Sequence, residues 1–390
     1  MEWGLLFLLL PVAALSGWLI GRNGTSKDHR ACDDLNADYF KGLNYLLNEQ
    51  SDKAIEVFVH LLEVDSETVE THFALGNLFL KRGEVDRAIR IHQNLIARPT
   101  LTRLQRQQAL FELGKDYLRA GLLDRAESLF IQSSDNSELA PLALRHLLEV
   151  YQLEKEWQKA IDVALKLKGN KVPKEMGQMV AHFLCEETEE ALRRDRISEA
   201  MRLVKRAIDE DKSCVRATLL EARIEMNRSD YRKAIIILHR VEQQDPGFLQ
   251  EILSPLQDCH RNLGSEDELL SYLDRLIKQQ KGNSNFALLH AELLERKFGR
   301  EEAISALTSY LTEHASLHAM SRLIEWRIKD HELDGSDDLA RLNQIISKRL
   351  HGKPAYQCRN CGFTSRTLNW QCPTCKQWNT VKPLQTQEGE

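Results

Sequence analysis

The sequence predicts an all-α protein. A stack of antiparallel helix pairs follows an apolar N-terminal helix and ends in a small four-cysteine knuckle. Three observations predict it: an alanine recurs through the middle of the chain with a period near 34 residues, residues 3–20 carry no charge and many leucines, and two Cys-x2-Cys pairs lie close together near the end. With 390 residues, 42% of them hydrophobic, the chain can bury a large core in two or three domains. Its 19 glycines and 9 prolines are few for this length, as nearly continuous helix requires. A net charge of −5 gives no whole-chain attraction to nucleic acid.

The apolar segment Trp3–Ile20 has the length of a bilayer-spanning helix. Pro11 and Gly17 interrupt it, which membrane helices tolerate, and Trp3 and Trp18 sit near its ends. A cleaved signal peptide would carry positive charge ahead of the apolar run, where only Glu2 is found, and Trp18-Leu19-Ile20 is a poor cleavage site. A soluble helix would show a polar face. The reading is an uncleaved anchor over 1–21 with a linker over 22–34. Arg22, Lys27 and Arg30 follow it and no Lys or Arg precedes it, so the bulk of the chain is expected in the cytoplasm. Four scattered cysteines, Cys32, Cys185, Cys214 and Cys259, suit a reducing compartment.

The repeating alanine falls at Ala54, Ala88, Ala126, Ala160, Ala200, Ala234 and Ala303, with Leu269 in the same place, and four of the seven spacings are 34. Gly42, Gly76 and Gly114 precede it by twelve residues. Tyr45, Phe79, Tyr117 and Tyr151 precede it by nine, and Phe58 and Phe130 follow it by four. A small residue on each helix lets the pair approach closely and an aromatic fills the adjoining hole. One pair cannot bury its apolar face alone, so pairs stack. The pattern resembles the tetratricopeptide repeat. The expected stack covers 35–335 in about eight to nine units, with a connector helix over 336–352. The first helices of such pairs line one face, which in that family holds peptides. Asn44, Asn77, Lys81, Lys115 and Arg119 fall on it and form a candidate partner groove. The plainer reading of these five is a solvated polar face.

Cys358, Cys361, Cys372 and Cys375 form a Cys-x2-Cys, ten residues, then Cys-x2-Cys. Two such turns supply a tetrahedral cage of four sulfurs for one metal ion, iron or zinc. A shell closed by four thiolates is structural rather than catalytic, and so small an element needs its metal to fold. The expected domain is 353–382, with a tail over 383–390. Around the cysteines lie Lys353, Arg359, Arg366, Lys376 and Lys382, with no acidic residue from His351 to Gln387. Tyr356, Phe363, Trp370 and Trp378 accompany them. Basic and aromatic residues together suggest nucleic acid. The alternative is that the tryptophans pack the knuckle onto the repeats. His60, His72, His92 and His182 are scattered through the repeats and are expected at helix faces or interfaces. No phosphate-binding loop, GxSxG or HExxH occurs, and the chain is expected not to be an enzyme.

The combination of anchor, repeats and knuckle resembles the lipopolysaccharide assembly protein B family of Gram-negative bacteria. MEWGLLFLLLPVAALSGW, the repeat with Gly76 and Ala88, and WQCPTCKQW carry the resemblance. It implies an inner-membrane adaptor facing the cytoplasm that regulates lipopolysaccharide synthesis. Its implied partners are the protease FtsH, the deacetylase LpxC whose degradation it promotes, and other lipopolysaccharide assembly proteins. It leaves room for a homo-oligomer. It also implies that the four clustered cysteines are the metal ligands.

Overall fold

A period of 34 residues leaves room for two helices of three to four turns and two tight connections. The computed structural model bears this out. It describes residues 39–384 apart from 46, 49, 51–52, 59–68, 136–137, 169–173, 280–282 and 330–335. The apolar segment Trp3–Ile20 and His60 lie outside the described residues. Among those described, no helix is long and apolar enough to cross a membrane. The chain divides into two compact units, Met1–Glu156 and Trp157–Glu390.

In the first unit, residues 39–45 and 53–58 are helical. They are followed by α1 (Val69–Lys81), α2 (Val85–Ile96), α3 (Arg103–Arg119), α4 (Leu123–Ser134) and α5 (Ala140–Glu154). The second unit holds α6 (Trp157–Lys168), α7 (Lys174–Arg193), α8 (Ile197–Glu210), α9 (Val215–Asn227), α10 (Tyr231–Leu238) and the short α11 (Val241–Gln244). After a 3-10 turn, Pro246–Phe248, come α12 (Leu249–Leu263), α13 (Glu266–Gln279), α14 (Ser284–Phe298), α15 (Arg300–Glu313), α16 (Leu317–Lys329) and α17 (Ser336–Leu350). Three short strands close the chain.

All eight register positions, from Ala54 to Ala303 and including Leu269, are fully buried at helix–helix contacts. In six of the units the turn inside the pair is equally regular. Five residues before the marker the backbone turns left-handed, at Gly83, Gly121, Lys155, Asp195, Ser229 and Gly264. The next residue's N–H then bonds back to the carbonyl five positions earlier, as in Glu84 to Phe79 at 2.9 Å and Arg196 to Ala191 at 2.8 Å. This closure caps the helix and starts its partner. In three units a non-glycine residue takes the strained conformation, at about 1 kcal/mol each.

The glycines of the first unit are sites of close helix approach. A Cβ on Gly42 would lie 2.8 Å from the Phe58 ring, and one on Gly114 would lie 2.9 Å from the Phe130 ring. Between them, Gly76 faces His92 where the other two units have phenylalanine. His92 is therefore not a face residue. Its ring is fully buried and Nδ1 lies 2.6 Å from Oδ2 of Asp116, which is also fully buried. The second atom of each group, His92 Nε2 and Asp116 Oδ1, has no hydrogen-bond partner. Burial raises the Asp116 pKa, against the opposing hydrogen bond from His92.

A buried polar pair is costly to break and inexpensive to replace as a unit. Asp116→Leu alone should therefore cost about 3 kcal/mol, by leaving His92 unpaired. The double variant His92→Phe/Asp116→Leu restores the phenylalanine pattern and should melt at or above the parent temperature. Thermal unfolding of the full chain followed by circular dichroism checks both. A double variant no more stable than Asp116→Leu would refute the account.

Candidate metal centre and partner groove

The knuckle is a three-stranded antiparallel ribbon, β1 (Tyr356–Cys358), β2 (Thr364–Ser365) and β3 (Val381–Pro383), in the order β2-β1-β3. Its two cysteine turns are built alike. In the first, the Cys358 carbonyl accepts from Gly362 N–H and the Cys358 N–H donates to Phe363. In the second, Cys372 makes the same two bonds with Lys376 and Gln377. Gly362 and Lys376 both take positive φ, +76° and +58°. The matched turns aim four sulfurs at one centre.

The four Sγ atoms lie within 4.8 Å of one another. Cys358 and Cys375 are 3.7 Å apart and Cys361 and Cys372 3.6 Å. A disulfide would need about 2.05 Å, whereas a tetrahedron with metal–sulfur bonds near 2.3 Å places its sulfurs roughly 3.8 Å apart. The cysteines are all free. Their proton affinities are pulled in opposite directions. Burial opposes ionisation of Cys358, but hydrogen bonds from Thr380 and from the Cys361 and Asn360 amides outweigh it and bring its pKa down to about 6. At Cys361 the Phe363 amide favours the thiolate, yet burial and the three neighbouring sulfurs push it up to about 11. Four thiolates at this distance repel one another, and a divalent cation at their centre is what allows all four to ionise. The donor set thus fits a tetrahedral metal ion. Cys358 and Cys372 are buried, whereas Cys361 is exposed at the rim.

Among the described residues the ribbon's own hydrophobic core consists of Cys358, Cys372 and Val381. It completes that core on the first-helix side of the second unit. Trp370 stacks on Phe248 at 5.4 Å and 27°. Trp378 stacks on His182 at 5.1 Å and 22°, with its edge toward Phe183 and Trp157. Tyr356 donates to Glu251 at 2.8 Å. Lys382 donates to Asp245 at 2.9 Å and covers the Phe248 ring at 4.5 Å. The tryptophans thus take the packing role, and His182 is an interface residue. Burial, reinforced by the charges of Arg216 and Lys382, lowers its pKa to about 3, so it meets Trp378 as a neutral ring. The sequence alone carries no local signal for Phe248, Asp245 or Glu251, which lie more than a hundred residues from their ribbon partners.

In the first unit, four of the five candidate groove residues gather. Asn77 and Lys81 of α1 and Lys115 and Arg119 of α3 line one hollow of about 390 Å³ over Leu80. Lys115 is tied to Glu112 at 2.5 Å, and Lys81 and Arg119 are exposed. Asn44, on the preceding helix, is exposed but does not line the hollow.

The neutrality of His182 sets a pH dependence. Its docked pKa lies below the ordinary 6.5, so the undocked state binds the extra proton and docking is fully supported only above about pH 6.5. Between pH 7 and pH 5.5 this single group should weaken docking by at most about 1 kcal/mol, because the helices, including Arg216, contribute part of the shift. His182→Phe should remove that component. Tryptophan fluorescence of the metal-loaded chain against pH measures it, and identical pH profiles for the two proteins would count against the assignment.

Family models agree with this architecture. Residues 356–383 match the family described as rubredoxin metal binding domain, and residues 71–106 and 111–171 match tetratricopeptide repeats. A tetratricopeptide repeat protein of Parabacteroides merdae, known from its crystal structure, aligns with 66% of this chain and 98% of its own, at 15% identity and a TM-score of 0.33. Lipopolysaccharide assembly protein B of Escherichia coli (strain K12) is 39% identical over 388 residues, 99% of each chain. The Haemophilus influenzae protein of the same name is 38% identical over 395 residues, 98% of this chain and 99% of its own. At this identity over nearly the whole length, the chain belongs to the lipopolysaccharide assembly protein B family.

Proposed function

We propose that the chain is a membrane-anchored adaptor in lipopolysaccharide assembly, not an enzyme, and that it presents LpxC to the protease FtsH for degradation. The relatives' name supports the pathway. The observation that carries the adaptor reading is the hollow in the first unit. Three cations and an amide from two successive first helices converge on it, which suits an acidic or carboxylate-bearing segment of a client protein. The segment Trp3–Ile20 serves as the anchor, with the repeats on the cytoplasmic side of the inner membrane. Confinement to the plane in which a membrane protease works raises effective concentration, so modest affinities suffice. Cys358, Cys361, Cys372 and Cys375 hold one iron or zinc ion. Its part is structural: it folds the ribbon that seats on the second unit.

The competing reading, a nucleic-acid-binding ribbon, needs aromatic faces open to bases. Trp370, Trp378 and Tyr356 are instead engaged by the repeats, and Lys382 is paired with Asp245. This arrangement favours the adaptor.

Asn77→Ala/Lys81→Ala/Arg119→Ala should lower recovery of LpxC with the chain from membranes by about tenfold. The melting temperature should stay unchanged, since none of the three side chains is buried. Unaltered LpxC recovery would remove the hollow from the account. Serine at all four cysteines should abolish metal content and redden the tryptophan emission as the ribbon leaves its seat. An unshifted spectrum would mean that seating does not need the metal.

A further inference from the structure

From Leu339 to Gln387 the chain has eight Lys and Arg residues and no Asp or Glu, although its net charge as a whole is −5. Lys382 is paired with Asp245 at 2.9 Å, and Arg341 lies 3.9 Å from Asp338. The other six, Lys348, Arg349, Lys353, Arg359, Arg366 and Lys376, are exposed and form no ion pair among the described residues. Cations elsewhere in the second unit are matched, as Arg240 is to Glu221, Arg275 to Glu242 and Arg322 to Glu292. Four thiolates around a divalent ion would return a charge of −2, which leaves the segment at about +6.

Four of the six gather where α17 passes into the ribbon. Lys348 and Arg349 end the helix, and Lys353 follows it. Arg366 reaches the same place from the end of β2: a Cβ on Gly352 would lie 3.3 Å from its Nη2. The backbone fixes this approach, because the Ala355 N–H donates to the Ser365 carbonyl at 2.9 Å.

α17 adds an apolar element. Its inner side holds Ile346, which is buried, and Asn343, which accepts from the Ser321 hydroxyl of α16 at 2.6 Å. On its outer side Arg341, Leu342, Ile345, Lys348 and Arg349 fall within an arc of about 120° at 3.6 residues per turn. Leu342 is 45% exposed and Ile345 62%. Aliphatic side chains framed by cations suit a helix lying in the headgroup layer of a membrane. The lipid phosphates attract the cations, whose long stems lie with Leu342 and Ile345 toward the acyl boundary. An RNA backbone would use the charges and leave the two aliphatics in water. An acidic protein offers carboxylates at fixed points, whereas unpaired cations spread over helix and ribbon match a continuous negative surface.

We propose that the junction of α17 and the ribbon is a membrane-contact surface: Lys348, Arg349, Lys353 and Arg366 meet the headgroups of an anionic phospholipid leaflet, and Leu342 and Ile345 insert between them. The inference rests on the anchored reading, which brings a leaflet within reach. Each cation near such a leaflet contributes about fivefold. Two aliphatics and four cations make a weak contact by themselves, and tethering makes it effective.

The full chain is placed in nanodiscs of phosphatidylcholine alone or of phosphatidylcholine mixed with phosphatidylglycerol. Each kind is doped with a phospholipid bearing a diazirine high in one acyl chain, and adducts are mapped by mass spectrometry. Adducts should appear on the segment 339–353 in the anionic discs and be about tenfold fewer in the neutral ones. Lys348→Gln/Arg349→Gln/Lys353→Gln/Arg366→Gln should bring the anionic discs down to the neutral level. Leu342→Ser/Ile345→Ser, which leaves every charge in place, should reduce adducts by about threefold or more. Both variants change exposed side chains, so metal content and melting temperature should match the parent. Equal labelling of 339–353 in the two kinds of disc would overturn the proposal. Labelling untouched by Leu342→Ser/Ile345→Ser would overturn it in favour of a charge-only surface for RNA or an acidic protein. Adducts on residues 3–20 in both kinds of disc report the anchor, so failure of the anchored reading is told apart from failure of this surface.

Discussion

The second unit depends on a deficit of apolar material. Among the described residues the ribbon's own hydrophobic core is Cys358, Cys372 and Val381, and no element of that size holds together on such a core. It draws on two outside sources. Inside, a metal ion held by the four thiolates would supply binding energy that is also folding energy, roughly 10–16 kcal/mol for a structural zinc ion. Outside, Phe248 and His182 receive the two tryptophans, and stacked aromatic pairs contribute about 0.5–1.5 kcal/mol each beyond the area they bury. With a metal ion held by Cys358, Cys361, Cys372 and Cys375 the ribbon would be folded, and the folded ribbon presents Trp370 and Trp378 to one side, where both rings seat together.

The polar contacts at the seat do a different job. Lys382 and Asp245 keep 17% and 33% of their side chains exposed, so their attraction is screened and worth under about 1 kcal/mol. Their value is orientation: with the Tyr356–Glu251 bond they allow one docked register out of those that two flat rings would accept. His182 belongs with the rings. A protonated imidazole held against Trp378 beside Arg216 and Lys382 would carry an uncompensated charge, and burial removes the proton instead.

Helix pairing was legible because it is enforced locally. The marker sits where two helices touch and is alanine in seven of the eight units, so it survives in units whose glycine and aromatic positions have drifted. The left-handed turn five residues earlier recurs in six of the units, yet a glycine marks it only at Gly83, Gly121 and Gly264. Lys155, Asp195 and Ser229 make the same turn under strain, and nothing in their side chains announces it. The same holds in the ribbon, where Lys376 stands in for the glycine of the first cysteine turn. The four cysteines were legible because ligand spacing is set within each turn. The seat was legible from one side only. Two tryptophans on an element without a core must pack somewhere, but Phe248 and His182 look like any other residues of amphipathic helices. His92 was expected at a helix face or interface, but nothing links it to an aspartate 24 residues away until the fold places both at one contact.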